Sequence, residues 1–198
     1  MREIISYDDV RLEVIAEGSG PLVVMLPSRG RGAEDFAGIT ETIAKAGFRV
    51  LRPQPRGAGQ SHGPMQNLTL HDLARDIAAV IRHEGGGPAV LVGHAFGSWV
   101  ARMAAVDHPK LVRGVVMVAA AGRATKQSEW WSGGTAPLLD LQGDLDPFKP
   151  RSMMNEMRQE FRERATVVVI PNASHALLPE QPAAAVDAIL AWIGKLPL

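Results

Sequence analysis

The stretch that most constrains this chain is Val90-Leu91-Val92-Gly93-His94-Ala95-Phe96-Gly97-Ser98-Trp99-Val100. Val90 to Val92 is a short β-branched and apolar run. Gly85-Gly86-Gly87-Pro88 bounds it upstream, as expected of a buried strand. Trp99, Val100, Met103 and Val106 then recur as one apolar helical face. Between strand and helix, Gly93 and Gly97 flank a sharp turn. A Gly-x-Ser-x-Gly pattern in this setting lifts one side chain above a sheet, and its small flanking residues let the backbones approach. Here the pattern reads Gly-His-Ala-Phe-Gly, and the tip residue, Ala95, has no nucleophilic atom.

The rest of the chain supplies the sheet that such a turn requires. Residues 2–6 and 10–16 read as two strands around an Asp8-Asp9 turn. Leu22 to Leu26 is a continuous apolar strand, followed by the polar loop Pro27 to Gly32. Phe36, Ile39 and Ile43 mark a helix that ends near Gly47, and Phe48 to Leu51 is the next strand. After a Pro- and Gly-rich loop over 52–68, Thr69 and Asp72 resemble a capping box. Leu73, Ile77, Val80 and Ile81 continue as its helix face. Further strands are expected at Leu111 to Ala119, Leu138 to Leu141 and Val167 to Ile170, with helices over 151–162 and 180–194. Strand and helix alternate from residue 22 onward. That predicts an α/β fold with a mostly parallel central sheet, helices on both faces and right-handed crossovers. Ligands of such sheets bind beyond the carboxyl ends of the strands.

At 198 residues the chain is expected to be a single domain over 1–198. Lys and Arg total 21 and Asp and Glu total 21, so no net field draws it to nucleic acid or to an anionic membrane. With no cysteine there is no disulfide, thiolate metal site or Cys nucleophile. No apolar run approaches a membrane span, and the first residues lack the apolar core of a signal peptide, so a cytoplasmic protein is expected. No His and carboxylate cluster has metal-ligand spacing. Gly57-Ala58-Gly59-Gln60-Ser61 lacks the Gly-Lys-Ser/Thr ending of a phosphate loop. Neither metal nor cofactor is expected.

Three further segments follow predicted strands: Leu26-Pro27-Ser28-Arg29-Gly30, Leu141-Gln142-Gly143-Asp144-Leu145-Asp146-Pro147 and Ile170-Pro171-Asn172-Ala173-Ser174-His175. With the elbow they give the chain order nucleophile position, acid, histidine. A carboxylate beside a histidine fixes its tautomer and stabilises the imidazolium that forms when it takes a proton. Backbone N–H groups at the elbow and after residue 26 are suited to an oxyanion hole.

Over nearly its whole length the chain resembles the α/β-hydrolase superfamily. The resemblance rests on Pro21 to Leu26, on Arg52-Pro53-Gln54-Pro55-Arg56-Gly57-Ala58-Gly59-Gln60-Ser61, on the elbow, on Gly143 to Pro147 and on Ser174-His175. It implies a nucleophile slot at Ala95, an acid at Asp146 with Asp144 as the alternative, a base at His175, and oxyanion donors at the backbone N–H groups of Arg29 and Phe96. The chain departs from the pattern in three places. Ala95 replaces serine, Pro27-Ser28 replaces the usual His-Gly, and the segment between the Leu111 and Leu138 strands is short. The cap domain is therefore expected to be absent or vestigial, with 122–136 a short remnant at its insertion point. Ala95 reads either as an engineered knockout or as natural loss of the serine. The altered Pro27-Ser28 loop favours the second, since a knockout would leave it intact.

Other site-side residues have competing readings. Ser28 is a candidate displaced nucleophile or substrate contact, or bonds its own loop. His94 is a substrate contact or packs locally, and Ser98 lies a turn below the tip. Trp130 and Trp131 are a flap over the site, a homodimer contact or half-buried packing. Arg29, Arg31 and Arg56 attract an anionic substrate or are ordinary solvated arginines. Met153, Met157 and Phe161 recur at helical spacing and read as core.

The function expected from the resemblance is hydrolysis of an ester or related acyl bond of a small molecule. With Ala95 the acyl-enzyme route is closed, and loss of a triad serine leaves only about 10³–10⁴-fold catalysis over water. The alternatives are a non-covalent enzyme with Asp146 and His175 as general base, of hydrolytic, lyase or cofactor-free oxygenase type, and a ligand-binding protein without turnover. General-base catalysis contributes about 10²–10⁴-fold.

Overall fold

The computed structural model describes residues 1–120, 128–149 and 157–196. Eight strands form one sheet: β1 (Arg2–Tyr7), β2 (Val10–Glu17), β3 (Leu22–Leu26), β4 (Arg49–Pro53), β5 (Ala89–His94), β6 (Val112–Val118), β7 (Leu138–Gly143) and β8 (Ala165–Ile170). Their spatial order is β1-β2-β4-β3-β5-β6-β7-β8. β2 runs antiparallel to both β1 and β4, and every pairing from β4 to β8 is parallel. The helices lying wholly within the described residues are α1 (Ala37–Lys45), α2 (Leu70–His83), α3 (Phe96–Asp107), the single turn α4 (Leu177–Glu180) and α5 (Pro182–Ile193).

Both faces of the sheet are covered, which is why its central strands read as unbroken apolar runs. Val24, Leu91, Val115 and Leu138 point to the face under α2 and α3, where Val80, Ile81 and Met103 meet them. Their neighbours Val23, Val90, Val116 and Leu139 point the other way, onto Ile39 and Ile43 of α1 and Val186 and Ile189 of α5. The capping box at α2 is present: Asp72 N–H donates to Thr69 Oγ1 at 3.2 Å, and Thr69 N–H donates to the Asp72 carboxylate at 2.9 Å.

Two expectations change. The final helix does not run unbroken over 180–194. Pro182 at its first position disfavours a helical Gln181, which sits at φ −135°, ψ 57°, so α4 ends there and α5 begins afresh. The last strand starts at Ala165, two residues before the predicted Val167. Of the helix expected over 151–162, residues 157–161 are helical with Met157 buried, while Met153 lies outside the described residues. The expected remnant at 122–136 falls partly outside them as well. Its described part holds one 3-10 turn, Glu129–Ser132. No helix among the described residues is long and apolar enough to cross a membrane.

Candidate active site

The loops after β3, β5, β7 and β8 meet at the carboxyl end of the sheet. Ala95 sits at φ 46°, ψ −110°, a conformation an L-residue rarely adopts, and leads directly into α3. The turn is this tight because both flanking glycines touch backbone. A Cβ on Gly93 would collide with Gly97, and one on Gly97 would collide with the carbonyl oxygens of Leu26 and Pro27. The second contact presses the start of α3 against the loop after β3. Ala95 N–H donates to Val118 O at 2.9 Å, fixing the tip to β6. Ser98 is buried, and its Oγ donates to Ala95 O at 2.6 Å, so it fastens the turn from below rather than facing the site.

Asp146 and His175 come together as the resemblance implies. His175 Nδ1 lies 2.9 Å from Asp146 Oδ2; the Asp146 side chain is buried and the histidine is 28% exposed. Paired with a carboxylate, Nδ1 carries the proton, which leaves Nε2 as the basic nitrogen. Asp146 Oδ1 accepts from Phe148 N–H at 2.9 Å. The neighbouring Asp144 does different work: its Oδ1 accepts from Ala173 N–H at 3.3 Å and ties the acid loop to the histidine loop. Gly143 permits that closeness, because a Cβ there would strike the Ala173 and Ser174 carbonyls. Glu180 holds the histidine loop from the other side, accepting from Ser174 N–H and Oγ at 2.6 and 2.7 Å.

His94 joins this assembly. Its Nε2–H donates to His175 O at 3.1 Å, and the two rings lie 5.3 Å apart. Burial pushes the His94 pKa down, against the bond to the His175 carbonyl, which favours a neutral ring. Phe96 is the first residue of α3, so its N–H has no intrahelical acceptor and points toward the space before the helix. The Arg29 guanidinium covers the Phe96 ring at 4.6 Å, bringing together the two residues whose N–H groups are the candidate oxyanion donors. Ser28 lines a cavity beside them, and its carbonyl accepts from Arg31 N–H at 3.1 Å.

The remaining sequence candidates separate. Arg31 pairs with Asp35 on the surface. Arg56 is buried against Asp76, with Nε and Nη2 each donating at 2.9 Å. Neither is an open anion site. Trp130 is buried, stacked on Trp99 at 4.8 Å, and the Arg102 guanidinium lies over it at 4.3 Å. Trp131 packs beside it, with Nε1 donating to Glu160 at 2.8 Å. Of the readings open for this pair, packing is the one observed.

Three features escaped the sequence reading. Asp140, in the middle of β7, is fully buried and bound by Lys149 Nζ and Gln142 Nε2. Burial lowers the Lys149 pKa against the pull of Asp140. An acid inside an apolar strand was the available signal, since a buried carboxylate needs partners. Leu145 and Phe148 stand 64% and 61% exposed around Asp146, and the Phe148 ring meets His175 edge-on at 4.9 Å. The third feature is the cavity itself, of about 350 Å³, between the loop after β3, the 53–68 loop, α2 and α3.

Comparison with known proteins agrees with this architecture. The family described as alpha/beta hydrolase fold matches residues 21–136, more than half of the chain. The 2-(acetamidomethylene)succinate hydrolase of Mesorhizobium japonicum is 33% identical over 109 residues, which cover 55% of this chain and 39% of that protein. The bifunctional epoxide hydrolase 2 of Sus scrofa is 31% identical over 108 residues, covering 54% of this chain and 20% of that protein. The chain thus matches less than half the length of either relative. Among solved structures, a thermophilic esterase from Thermogutta terrifontis superposes with a TM-score of 0.85 at 20% identity, covering 98% of both chains. By sequence and by fold, the chain belongs to the α/β-hydrolase family.

Proposed function

We propose that this protein hydrolyses esters or related acyl compounds of small molecules without an acyl-enzyme, using the Asp146–His175 pair as a general base on water. The observation that carries the reading is the 2.9 Å bond from His175 Nδ1 to a buried Asp146 beside an elbow whose tip is a methyl group. A water next to Ala95 gives its proton to His175 Nε2 as its oxygen attacks the carbonyl carbon. The Arg29 and Phe96 N–H groups receive the developing oxyanion. Collapse of the tetrahedral species breaks the bond to the alcohol, and His175 returns the proton to the departing alkoxide, leaving acid and alcohol.

A second reading has its own support. The strained φ of 46° at Ala95 is the backbone a nucleophilic serine needs, and it persists here without one. On that reading the covalent route is complete except for a single oxygen.

Hydrolysis of p-nitrophenyl acetate by four proteins tests both: the chain itself, Ala95→Ser, and each combined with His175→Ala. His175-dependent turnover by the chain, unchanged by Ala95→Ser, supports the general-base reading. Strong His175-dependent turnover appearing only with Ala95→Ser supports the second. Four inert proteins would sink the ester-hydrolase reading and leave ligand binding as the activity to pursue.

A further inference from the structure

The cavity beside the elbow has no part in the chemistry above, yet both residues assigned to the oxyanion hole, Arg29 and Phe96, line it. Its interior is apolar, formed by Leu12, Leu26, Leu73, Ile77 and Val100, with Met65 and Leu68 at the 53–68 loop. At about 350 Å³ it lies at the small end of ligand cavities. Charge is present in its wall in two places: at Arg29, whose guanidinium lies over the Phe96 ring, and at the Arg56–Asp76 pair. Arg56 donates through Nε and Nη2 to Asp76, through Nη1 to Pro64 O at 2.9 Å, and through Nη2 to Tyr7 Oη at 3.4 Å. Asp76 also accepts from the Tyr7 hydroxyl, a bond that together with burial pushes the tyrosine pKa upward. With that ion pair closed on itself, a charge carried past Arg29 to the Arg56–Asp76 wall would lose its water and gain no free partner there.

We infer that this cavity is the acyl-chain pocket and that the substrate class is esters of uncharged, unbranched acyl groups of about hexanoyl length. The inference deepens the proposed function and rests on its assignment of the carbonyl oxygen to the Arg29 and Phe96 N–H groups. A carbonyl held there directs its chain past the Arg29–Phe96 pair, under the 53–68 loop, and toward Ile77 and Val100. The leaving group then faces the opposite side, where the exposed Phe148 ring meets His175. Size is selected by the cavity's volume of about 350 Å³, and a charge at the chain end is disfavoured beside the satisfied Arg56–Asp76 pair.

The test measures binding and does not need turnover. Methyl ketones present the same carbonyl and chain and cannot be hydrolysed. Dissociation constants are read by NMR titration of the chain with 2-butanone, 2-pentanone, 2-heptanone and 4-oxopentanoate, the last carrying a carboxylate at the chain end. Affinity is expected to rise about fourfold per added methylene from 2-butanone to 2-heptanone. 4-Oxopentanoate is expected to bind about tenfold more weakly than 2-pentanone. Ile77→Trp fills the cavity and should abolish the chain-length dependence. Leu68→Trp on the loop should do the same, and it keeps the test sound if the helix variant fails to fold. Thr166→Ala, exposed on the edge strand β8, should leave ketone affinity within about twofold. Equal affinity across the series, equal binding of 4-oxopentanoate, or indifference to both tryptophan variants overturns the inference. If the series behaves as expected while p-nitrophenyl esters are not cleaved, the pocket stands and the proposed reaction falls.

Discussion

At Ala95 and its neighbours, backbone shape and side-chain chemistry come apart. The elbow is defined by what cannot be added: a methyl at position 97 meets two carbonyl oxygens that belong to backbone and cannot swing away. Gly97→Ala is expected to cost about 3 kcal/mol, at the upper end of overpacking penalties, as read from urea denaturation. The glycines were legible in the sequence because their spacing around a strand end admits few other uses. The choice between Asp144 and Asp146 was not, since only the fold of the acid loop decides which carboxylate reaches His175 and which holds Ala173 N–H. In an Ala95→Ser background, Asp146→Asn should lower kcat by about 10³–10⁴-fold, because the amide favours the wrong histidine tautomer. Asp144→Asn should lower it by less than about tenfold, through looser docking of the two loops. Equal losses would refute the division of labour.

Among the elements, α2 is the one whose start was read residue by residue. Thr69 and Asp72 close the capping box, and Thr69→Ala should lower stability by about 1 kcal/mol. The same helix carries a contact no pattern announced. His71 bridges Asp107 at the end of α3 and Glu129 beside Trp130, at 2.8 and 2.9 Å. Those bonds, Asp107 first, raise its pKa. A histidine whose folded pKa exceeds its unfolded value of about 6.5 stabilises the fold fully below that value, and the effect is lost as pH rises through the folded pKa. The side chain is half exposed, so screening limits the gain to about 0.5 kcal/mol. His71→Gln should therefore lower Tm by about 1–2 °C at about pH 5.5 and leave it unchanged at about pH 9. The bridge went unseen because it joins residues 36 and 58 positions apart, and local periodicity carries no such information. Trp130 and Trp131 illustrate the converse. A tandem of large aromatics is conspicuous in a sequence, but what it packs on, here Trp99 and Arg102, depends on where α3 lies.

For the whole molecule, the alternation of strands and helices was enough to expect the parallel sheet and the edge at which the candidate residues gather. The crossing of β3 and β4 in the strand order was not readable, nor was the space left between α2, α3 and the loop after β4. That space is walled by a buried ion pair that links β1 to α2 through Tyr7, Arg56 and Asp76. Removing one partner strands a buried charge, so Asp76→Ala should cost about 3–5 kcal/mol and lower Tm by about 10 °C, as seen by calorimetry. A change below about 1 kcal/mol would mean that the cavity wall relaxes and admits water.

The positive φ at Ala95 also has a consequence for how this protein can change over generations. Every alanine codon becomes a serine codon by one substitution at its first base. The costly part of a covalent mechanism is a backbone that holds the attacking residue at the head of a helix, within a ring of glycines and a fixed histidine. Ala95 already has that backbone, and Gly93 and Gly97 already flank it. A single base change would therefore exchange the methyl at the elbow tip for a hydroxyl on a backbone whose shape Gly93 and Gly97 already hold.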